Sequence, residues 1–295
     1  MDASSLRGVF TALVTPFAGD GSIDESTFEK LVERQLEGGV SGLVPCGTTG
    51  ETPALEPEEW EWVVRRTVEL AGSGAPVIAG TGSNNTGRTV ERTRRAAELG
   101  ASAALVVTPY YNKPNHAGLV AHYEAVAGRG GLPVVVYNVP SRTGLNLSAE
   151  TVLELARIPG VVAVKEASGS LGQAMSIVSG RAEGLALLSG EDDLTCAMTL
   201  MGGDGVISVV SNVDPGGTAK MVEAALAGDA EAARSEHYRL LPLVRALFVE
   251  TNPVPAKAAL ALLRLAPDVV RPPLAAASAA TRDRLAAALT SAGLM

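Results

Sequence analysis

A single lysine, Lys165, stands where a primary amine could act as a nucleophile. It ends the apolar run Val161 to Val164 and is followed by Glu166-Ala167-Ser168-Gly169, so a cation is expected where a buried strand meets an open rim. Burial among apolar side chains disfavours the ammonium form, and only the neutral amine adds to a carbonyl to form an imine. The residue type and place therefore indicate imine chemistry; the simpler alternative is a lysine that extends from a strand end into water.

Other polar segments follow apolar runs and could complete such a site. Gly47-Thr48-Thr49-Gly50-Glu51 combines glycines, which let the backbone approach an anion, with two hydroxyls that can donate to a carboxylate. Tyr137 could carry a proton, and Arg142 presents a planar fork that matches a carboxylate. Taken singly, the loop could be a glycine turn and the tyrosine an amphipathic core edge. Together with Lys165 they are the parts that imine chemistry on a keto acid requires.

Elements that could position these residues recur along the chain as short apolar runs rich in β-branched residues. Continuous apolar character is typical of strands covered on both faces, and the spacing leaves room for a helix between neighbours. The runs are Gly8 to Val14, Val40 to Pro45, Pro76 to Ala79, Ala103 to Val107, Pro133 to Tyr137, Val161 to Val164, Leu185 to Leu188 and Val206 to Val210.

Eight strand-helix repeats in about 215 residues predict an α/β protein, a (β/α)8 TIM barrel with a C-terminal helical extension. A doubly wound open sheet is the competitor, but no G-x-G-x-x-G sequence follows the first run. We expect a catalytic barrel over 1–215 and a helical region over 216–295. That region should hold about three helices, from Ala219 to Arg245, Ala256 to Leu265 and Ala275 to Leu294, packed on the barrel or on a neighbouring subunit.

Composition narrows the classes of function. The 295 residues include 46% hydrophobic residues, and 24 Lys+Arg against 32 Asp+Glu give a net charge of −8. This balance offers no electrostatic footprint for nucleic acid or for an anionic membrane, and we find neither a signal segment nor a run of about 18 apolar residues. We expect a cytoplasmic protein. Cys46 and Cys196 are interpreted as buried small residues.

Five motifs together resemble the 4-hydroxy-tetrahydrodipicolinate synthase (dihydrodipicolinate synthase) family, within the wider group of pyruvate-dependent Schiff-base lyases and aldolases. The likeness extends from Gly8 to Leu294. The motifs are Gly47-Thr48-Thr49-Gly50-Glu51, the stretch Thr108 to Pro114, Tyr137-Asn138-Val139-Pro140-Ser141-Arg142-Thr143-Gly144, Val164-Lys165-Glu166-Ala167 and Leu188-Ser189-Gly190-Glu191-Asp192.

The resemblance implies roles for individual residues. Lys165 would form the Schiff base with pyruvate and Tyr137 would shuttle the proton, with Thr48 and Tyr111 completing the relay. In the family, the tyrosine at the Tyr111 position reaches into the neighbouring subunit's site.

Substrate-binding roles are implied in the same way. Thr49 would hold the pyruvate carboxylate beside the backbone of Ile207, and Arg142 would hold the carboxylate of the incoming aldehyde. Gly190 belongs to the same substrate-binding set.

The resemblance also implies the reaction and the assembly. Pyruvate would condense with L-aspartate 4-semialdehyde to give (2S,4S)-4-hydroxy-2,3,4,5-tetrahydrodipicolinate, the first committed step of lysine and diaminopimelate biosynthesis. No metal or organic cofactor would be needed. We expect a homotetramer built as a dimer of dimers, without nucleic-acid or membrane partners.

The match departs from the family at an effector site. Lysine-inhibited members use polar residues after the Gly-Thr-Thr-Gly-Glu loop and a glutamate on a later helix, where this chain has Pro57, Trp60 and Arg88, although Asn84 and Tyr110 are retained. An arginine in place of a carboxylate should repel the lysine ammonium. We therefore expect weak or absent inhibition by lysine.

Several alternatives stay open. The nearest is another pyruvate-dependent aldolase, acting on N-acetylneuraminate or a 2-keto-3-deoxy sugar acid. Arg142 argues against it, because a polyhydroxylated substrate would be bound by hydroxyl-binding side chains at this position. A phosphate-sugar barrel is disfavoured by the acidic residues after Gly190. A non-catalytic keto-acid-binding barrel would have no use for a proton relay. A metal hydrolase is poorer still, because His116, His122 and His237 are expected to be solvated residues on helices.

Overall fold

A computed structural model describes residues 2–295 and shows eight parallel strands in a single sheet. The strands are β1 Gly8–Ala12, β2 Gly42–Val44, β3 Ile78–Gly80, β4 Ala103–Val107, β5 Val134–Asn138, β6 Val161–Glu166, β7 Ala186–Ser189 and β8 Gly205–Ser208. Each overlaps one of the eight predicted apolar runs, with ends that differ by at most two residues.

The sheet curls into a barrel. Its strand order is β2-β1-β8-β7-β6-β5-β4-β3, so β1 pairs with both β2 and β8. The two edge strands meet through a parallel bridge between Leu43 and Val77, and Gly80 N donates to Pro45 O at 2.9 Å. The predicted (β/α)8 barrel is confirmed. All eight strand C-termini therefore face one rim.

Helices alternate with the strands and continue after β8. They are α1 Glu25–Glu37, α2 Pro57–Ala71, α3 Thr86–Glu98, α4 His116–Arg129, α5 Pro140–Thr143, α6 Ala149–Leu155, α7 Leu171–Gly180, α8 Thr195–Leu200, α9 Pro215–Leu226, α10 Ala230–Leu247, α11 Val254–Leu262 and α12 Ala279–Ser291. Three short 3-10 helices span Ala3–Ser5, Thr52–Ala54 and Val210–Asn212.

Side-chain caps stand at the first turns of helices α1 and α6. Asp24 accepts from Thr27 N at 3.1 Å before α1, and Ser148 accepts from Thr151 N at 3.2 Å before α6. Each cap satisfies a backbone donor that has no partner within the helix. These local bonds fix where the helices begin, and so fix the lengths of the loops at the rim.

The C-terminal helices differ from the sequence expectation. The segment expected as one helix from Ala219 to Arg245 is two helices, α9 and α10, separated by a turn in which Gly228 has φ +78°. Helix α9 packs against β1 and β8 and is the eighth helix of the ring. Helices α10, α11 and α12 pack together beyond it. The division after residue 215 stays a prediction and falls at the first residue of this eighth helix.

Two apolar layers hold the barrel together, because alternate residues of each strand face its interior and the helices. Phe10, Ala12, Leu105 and Ile207 are buried in the interior layer. Val9, Val134 and Val161 pack in the layers under the helices. This alternation places a side chain in the barrel or outside it according to its position along the strand.

The expectation of three solvated helix histidines is wrong for His122. His116 is exposed and pairs with Glu154 at 2.9 Å, whereas His122 is 3% exposed and its Nδ1 lies 3.0 Å from Thr86 Oγ1. Burial lowers the pKa of His122 to about 4. Helix α4 packs on α3 here, and neither spacing nor composition of α4 revealed that contact.

The structure also bears on membrane association. Between residues 2 and 295, no helix is both long enough and apolar enough to cross a bilayer.

We predict that acid weakens the fold partly through His122. Its folded-state pKa of about 4 lies below the ordinary value of 6.5, so the unfolded chain binds more protons between these values. The contribution of His122 to the free energy of unfolding is therefore fully present above pH 6.5. It is lost as the pH falls towards 4, by up to about 3 kcal/mol. His122→Gln should show a smaller difference in unfolding free energy between pH 7 and pH 4.5 than wild type.

His116→Gln is the matched control for this experiment, because His116 is exposed on the same helix. It should follow the wild-type pH dependence in urea denaturation. Equal pH dependence in all three proteins would contradict the assignment to His122.

Candidate active site

Lys165 and Tyr137 lie on adjacent strands at the rim. They are directly paired in the register of β5 with β6, and both side chains face the barrel interior. Lys165 is 5% exposed and its Nζ lies 4.4 Å from the centre of the Tyr137 ring. No hydrogen-bond partner for this amine lies within residues 2–295. A buried amine without a partner beside a phenol is suited to add to a carbonyl.

A cavity of about 150 Å³ surrounds the Lys165 amine. The polar and charged side chains in its wall are those of Thr48, Thr49, Tyr137, Ser141, Arg142, Lys165, Glu191 and Asn252. This volume is suited to a small organic acid. The structure thus brings Lys165, Tyr137, Thr48, Thr49 and Arg142 into one cavity.

The threonine pair lies on the loop after β2. Thr49 is 2% exposed, and its Oγ1 accepts a hydrogen bond from Asn252 Nδ2 at 2.9 Å. Gly50 allows the loop to pack closely, because a Cβ there would lie 3.2 Å from Leu13 O. The bond to Asn252 leaves the Thr49 hydroxyl proton free for a carboxylate, so the loop can receive an anion.

A buried ion pair holds the same loop against the C-terminal helices. Glu51 has φ +53° and contacts Lys257, and both side chains are nearly inaccessible. Arg271 N donates to Glu51 Oε2 at 3.0 Å. Burial lowers the pKa of Lys257 to about 8, and Glu51 opposes that shift. The glutamate of the Gly-Thr-Thr-Gly-Glu segment is thus a structural anchor and faces away from the cavity.

Arg142 stands at the mouth of the cavity on the short helix α5. Its Nη2 lies 3.5 Å from Asn252 O. It also lines a neighbouring cavity of about 260 Å³ together with Thr52, Arg92 and Tyr110. The guanidinium is exposed and can present its fork to a carboxylate that enters from solvent.

Gly190 leaves the space that the Lys165 side chain occupies. A Cβ at this position would lie 2.6 Å from Ala167 Cβ and 3.0 Å from Lys165 Cε. Gly190 N donates to Glu166 O at 2.7 Å, which sets β7 against β6. A larger residue would clash with Ala167 and crowd the Lys165 side chain.

Ile207 lies deeper than the other predicted site residues. Its side chain is fully buried in the barrel interior, and the cavity wall contains the nearby Val209 instead. Asp192 Oδ2 accepts from Val209 N at 2.9 Å and from Val210 N at 3.0 Å. This carboxylate therefore fixes the backbone that follows Ile207 at the rim.

Glu191 is a cavity residue that the sequence argument treated only as a group that repels phosphate. Burial, Asp193 and Asp192 raise the pKa of Glu191 to about 7, while Lys165 and Arg142 act in the opposite direction. Like Lys165 and Tyr137, Glu191 lies near the end of an apolar run in the sequence. This position was the signal that could have identified it as a site residue.

Asn252 lies in the turn between α10 and α11, 203 residues from its partner Thr49, and the sequence argument missed it. No local signal could have connected the two residues. Only the packing of the C-terminal helices on the rim brings this amide to the cavity.

Tyr111 does not join the cavity within this chain. Its side chain is 88% exposed at φ +70°, and it lines neither the 150 Å³ nor the 260 Å³ cavity.

Two side chains at the expected effector site, those of Trp60 and Arg88, differ in their exposure to solvent. Trp60 is buried and its Nε1 donates to Gly80 O at 3.1 Å, whereas Arg88 is exposed on α3. Trp60 is therefore a core residue. Arg88 remains free to set the charge of the surface around Asn84.

Other chemistries gain no support from the described residues. Burial raises the pKa of the Cys46 thiol, which disfavours the reactive thiolate. Residues 2–295 contain no group of three or more His, Cys, Asp or Glu side chains placed to hold a metal ion.

The fold and the cavity define a (β/α)8 barrel with a buried primary amine at its C-terminal rim. The sequence pattern of the Dihydrodipicolinate synthetase family matches residues 5–292. The chain belongs to this family and is an enzyme of the lyase class, as the motif resemblance implied.

Individual relatives agree. The protein of Thermomicrobium roseum named 4-hydroxy-tetrahydrodipicolinate synthase is 53% identical over 97% of this chain and 94% of its own length. The dihydrodipicolinate synthase structure from Thermotoga maritima superposes with TM-score 0.96 at 44% identity, covering 98% of this chain and 99% of the other. The chloride-inhibited Acinetobacter baumannii enzyme, solved in complex with pyruvate, gives TM-score 0.96 at 39% identity, with coverage of 98% and 99%.

We predict that Gly190→Ala slows imine formation at Lys165. The added methyl would clash with Ala167 and crowd the lysine side chain, so we expect the amine to shift. The rate of borohydride-trapped adduct formation with a small 2-keto acid, followed by intact mass, should fall roughly 10- to 100-fold.

Gly172→Ala is the control, because a Cβ there would meet only Ser170 Oγ at 3.7 Å. It should form the adduct at the wild-type rate. Equal rates in Gly190→Ala and wild type would show that the lysine does not depend on this space.

Proposed function

We propose that this enzyme is a 4-hydroxy-tetrahydrodipicolinate synthase. It condenses pyruvate with L-aspartate 4-semialdehyde through a Schiff base on Lys165 and releases (2S,4S)-4-hydroxy-2,3,4,5-tetrahydrodipicolinate and water. This reaction is the first committed step of lysine and diaminopimelate biosynthesis. The names of the relatives support the proposal, and so does the chemistry of the cavity.

One observation carries the proposal: the buried, unpartnered amine of Lys165 shares a small cavity with a phenol and with two groups suited to carboxylates. Its Nζ lies 4.4 Å from the Tyr137 ring centre, and Thr49 and Arg142 line the same 150 Å³. A keto acid needs one anion site beside the amine, and an aldehyde that carries a carboxylate needs a second.

The first half of the reaction takes place at the amine. Lys165 adds to the keto carbon of pyruvate and water leaves, which gives the imine. Thr49 holds the pyruvate carboxylate beside the backbone at Ile207. Loss of a methyl proton, shuttled by Tyr137 with Thr48, gives the enamine.

The second half joins the two substrates. The enamine carbon attacks the aldehyde carbon, and the aldehyde oxygen takes a proton through the Tyr137 relay. The substrate amine then attacks the imine carbon, closes the ring and displaces Lys165. The protonated imine is the electron sink throughout, so we propose that no metal or organic cofactor takes part.

Arg142 separates this function from that of the other pyruvate-dependent aldolases. An exposed guanidinium at the cavity mouth matches the carboxylate of L-aspartate 4-semialdehyde. The polyhydroxylated chain of a sugar acid would leave this cation without a partner.

We further propose that the enzyme works in the cytoplasm as a homotetramer, a dimer of dimers, without nucleic-acid or membrane partners. Tyr111 supports an active dimer, because 88% of this side chain is exposed and outside its own cavity. The phenol would then complete the proton relay of the neighbouring subunit.

We predict that Lys165→Ala abolishes both imine formation and turnover. Wild type should form product from pyruvate and L-aspartate 4-semialdehyde in an assay coupled to a reductase that consumes the cyclic product. Borohydride should fix pyruvate to wild type and not to Lys165→Ala, as read by intact mass. The reason is that this amine is the one that attacks the keto carbon.

Lys257→Arg serves as the control for the loss of an amine, because Lys257 is buried outside the cavity and the variant keeps its charge. It should still trap pyruvate. Trapping without turnover in wild type would keep the imine chemistry and assign the enzyme to the sugar-acid aldolases. Absence of trapping would contradict the proposal.

We predict that lysine inhibits this enzyme weakly or not at all. Arg88 is exposed near Asn84, at the position where lysine-inhibited members of the family carry a glutamate, and its charge repels the lysine ammonium. A lysine titration of the coupled assay should show no half-inhibition below millimolar concentrations. Half-inhibition well below that range would contradict the prediction.

A further inference from the structure

Two hydrogen-bond acceptors in the wall of the 150 Å³ cavity have no donor among residues 2–295. They are the carboxylate of Glu191 and the side-chain oxygen of Asn252. Among residues 2–295, no backbone or side-chain donor is bound to the Glu191 carboxylate. Neither acceptor is used by the roles proposed above.

Asn252 is the more informative of the two acceptors because it is buried. It is 6% exposed, its Nδ2 donates to Thr49 Oγ1 at 2.9 Å, and its Oδ1 has no partner. A buried acceptor left unpaired destabilises the site, and a donor on a ligand would remove that cost. The free oxygen therefore points to a ligand that brings a donor.

Glu191 specifies the charge of that ligand. Its carboxylate is half-buried in the same wall and is raised in energy by burial and by two neighbouring acids. The two basic side chains of the cavity have other partners in the proposed reaction: Lys165 becomes an imine and Arg142 takes a carboxylate. A group that is both cationic and rich in donors would satisfy Glu191 and Asn252 together.

We propose that the Glu191 carboxylate and Asn252 Oδ1 form a subsite for the α-ammonium group of the aldehyde substrate, which makes Glu191 a specificity-determining residue. The inference rests on the proposed function and deepens it. An α-amino acid carries one carboxylate and one ammonium on the same carbon, and Arg142 and Glu191 provide the opposite charges in one cavity.

The ammonium also favours the ionised form of Glu191. A cation within hydrogen-bond distance stabilises the carboxylate, and burial strengthens the attraction. An aldehyde without this group leaves a half-buried carboxylate unmatched in the occupied cavity. The enzyme should therefore select the amino aldehyde over its analogue that lacks nitrogen.

The experiment compares two aldehydes on enzyme already loaded with pyruvate. L-Aspartate 4-semialdehyde and succinic semialdehyde differ by the α-amino group alone. Each is mixed with the pyruvate adduct, the reaction is stopped with borohydride at set times, and intact mass follows the loss of that adduct. The dependence on aldehyde concentration gives a second-order rate constant for each aldehyde.

Glu191→Gln should lower the ratio of the two rate constants, amino aldehyde over succinic semialdehyde, roughly 10- to 100-fold relative to wild type. The ratio cancels any general loss of activity, and the pyruvate adduct itself reports that the variant is folded. Glu191→Asp, which keeps the charge on a shorter side chain, should restore part of the ratio.

Asp193→Asn is the matched control, because Asp193 is the neighbouring exposed acid and does not line the cavity. Its ratio should stay within about twofold of wild type, as expected for a surface charge. An unchanged ratio in Glu191→Gln would overturn the inference. If the wild-type adduct is not consumed by the amino aldehyde at all, the proposed function itself fails, and the two failures are distinct.

Discussion

The site depends on the parallel pairing that carries eight strands round into a barrel. Parallel strands bring all their C-terminal ends to one rim, so residues far apart in sequence meet there. The pairing of β5 with β6 is the most consequential, because its register places Tyr137 beside Lys165. A shift of one residue would point one of these side chains out of the barrel and separate the amine from the phenol.

The C-terminal helices complete the rim that the barrel begins. Lys257 of α11 pairs with Glu51, and Asn252, in the turn before α11, hydrogen-bonds Thr49. Both contacts hold the loop after β2 at the cavity. Removing one partner of a buried ion pair typically costs about 3–5 kcal/mol, so this loop is firmly tied to the helices. The helical region is therefore part of the active site as well as of the fold.

Charge is distributed unevenly within the cavity. Lys165 and Arg142 are the basic side chains, and Glu191 supplies a carboxylate held at high energy by burial and its acidic neighbours. A small cavity with both signs of charge suits a substrate that is itself a zwitterion. In the proposed reaction the chemistry at Lys165 and the choice of aldehyde would be handled by different residues, a separation that a barrel rim with many independent loops allows.

The sequence by itself determined the barrel and the chemical parts of the site. Buried parallel strands require continuous apolar runs, and polar residues at the ends of those runs reach the rim, so Lys165, Tyr137 and Thr49 were visible as candidate site residues. Helix boundaries were less visible where a short turn such as the one at Gly228 interrupts a long alanine-rich stretch. The burial of His122 was hidden because it depends on how α3 packs against α4.

Tertiary structure alone decided what surrounds the amine. The contact of Asn252 with Thr49 joins residues 203 positions apart, and no local pattern encodes it. The space at Gly190 and the environment of Glu191 likewise follow from packing. Periodicity and composition record what each segment must bury, whereas distances between side chains arise only when separate segments pack against one another.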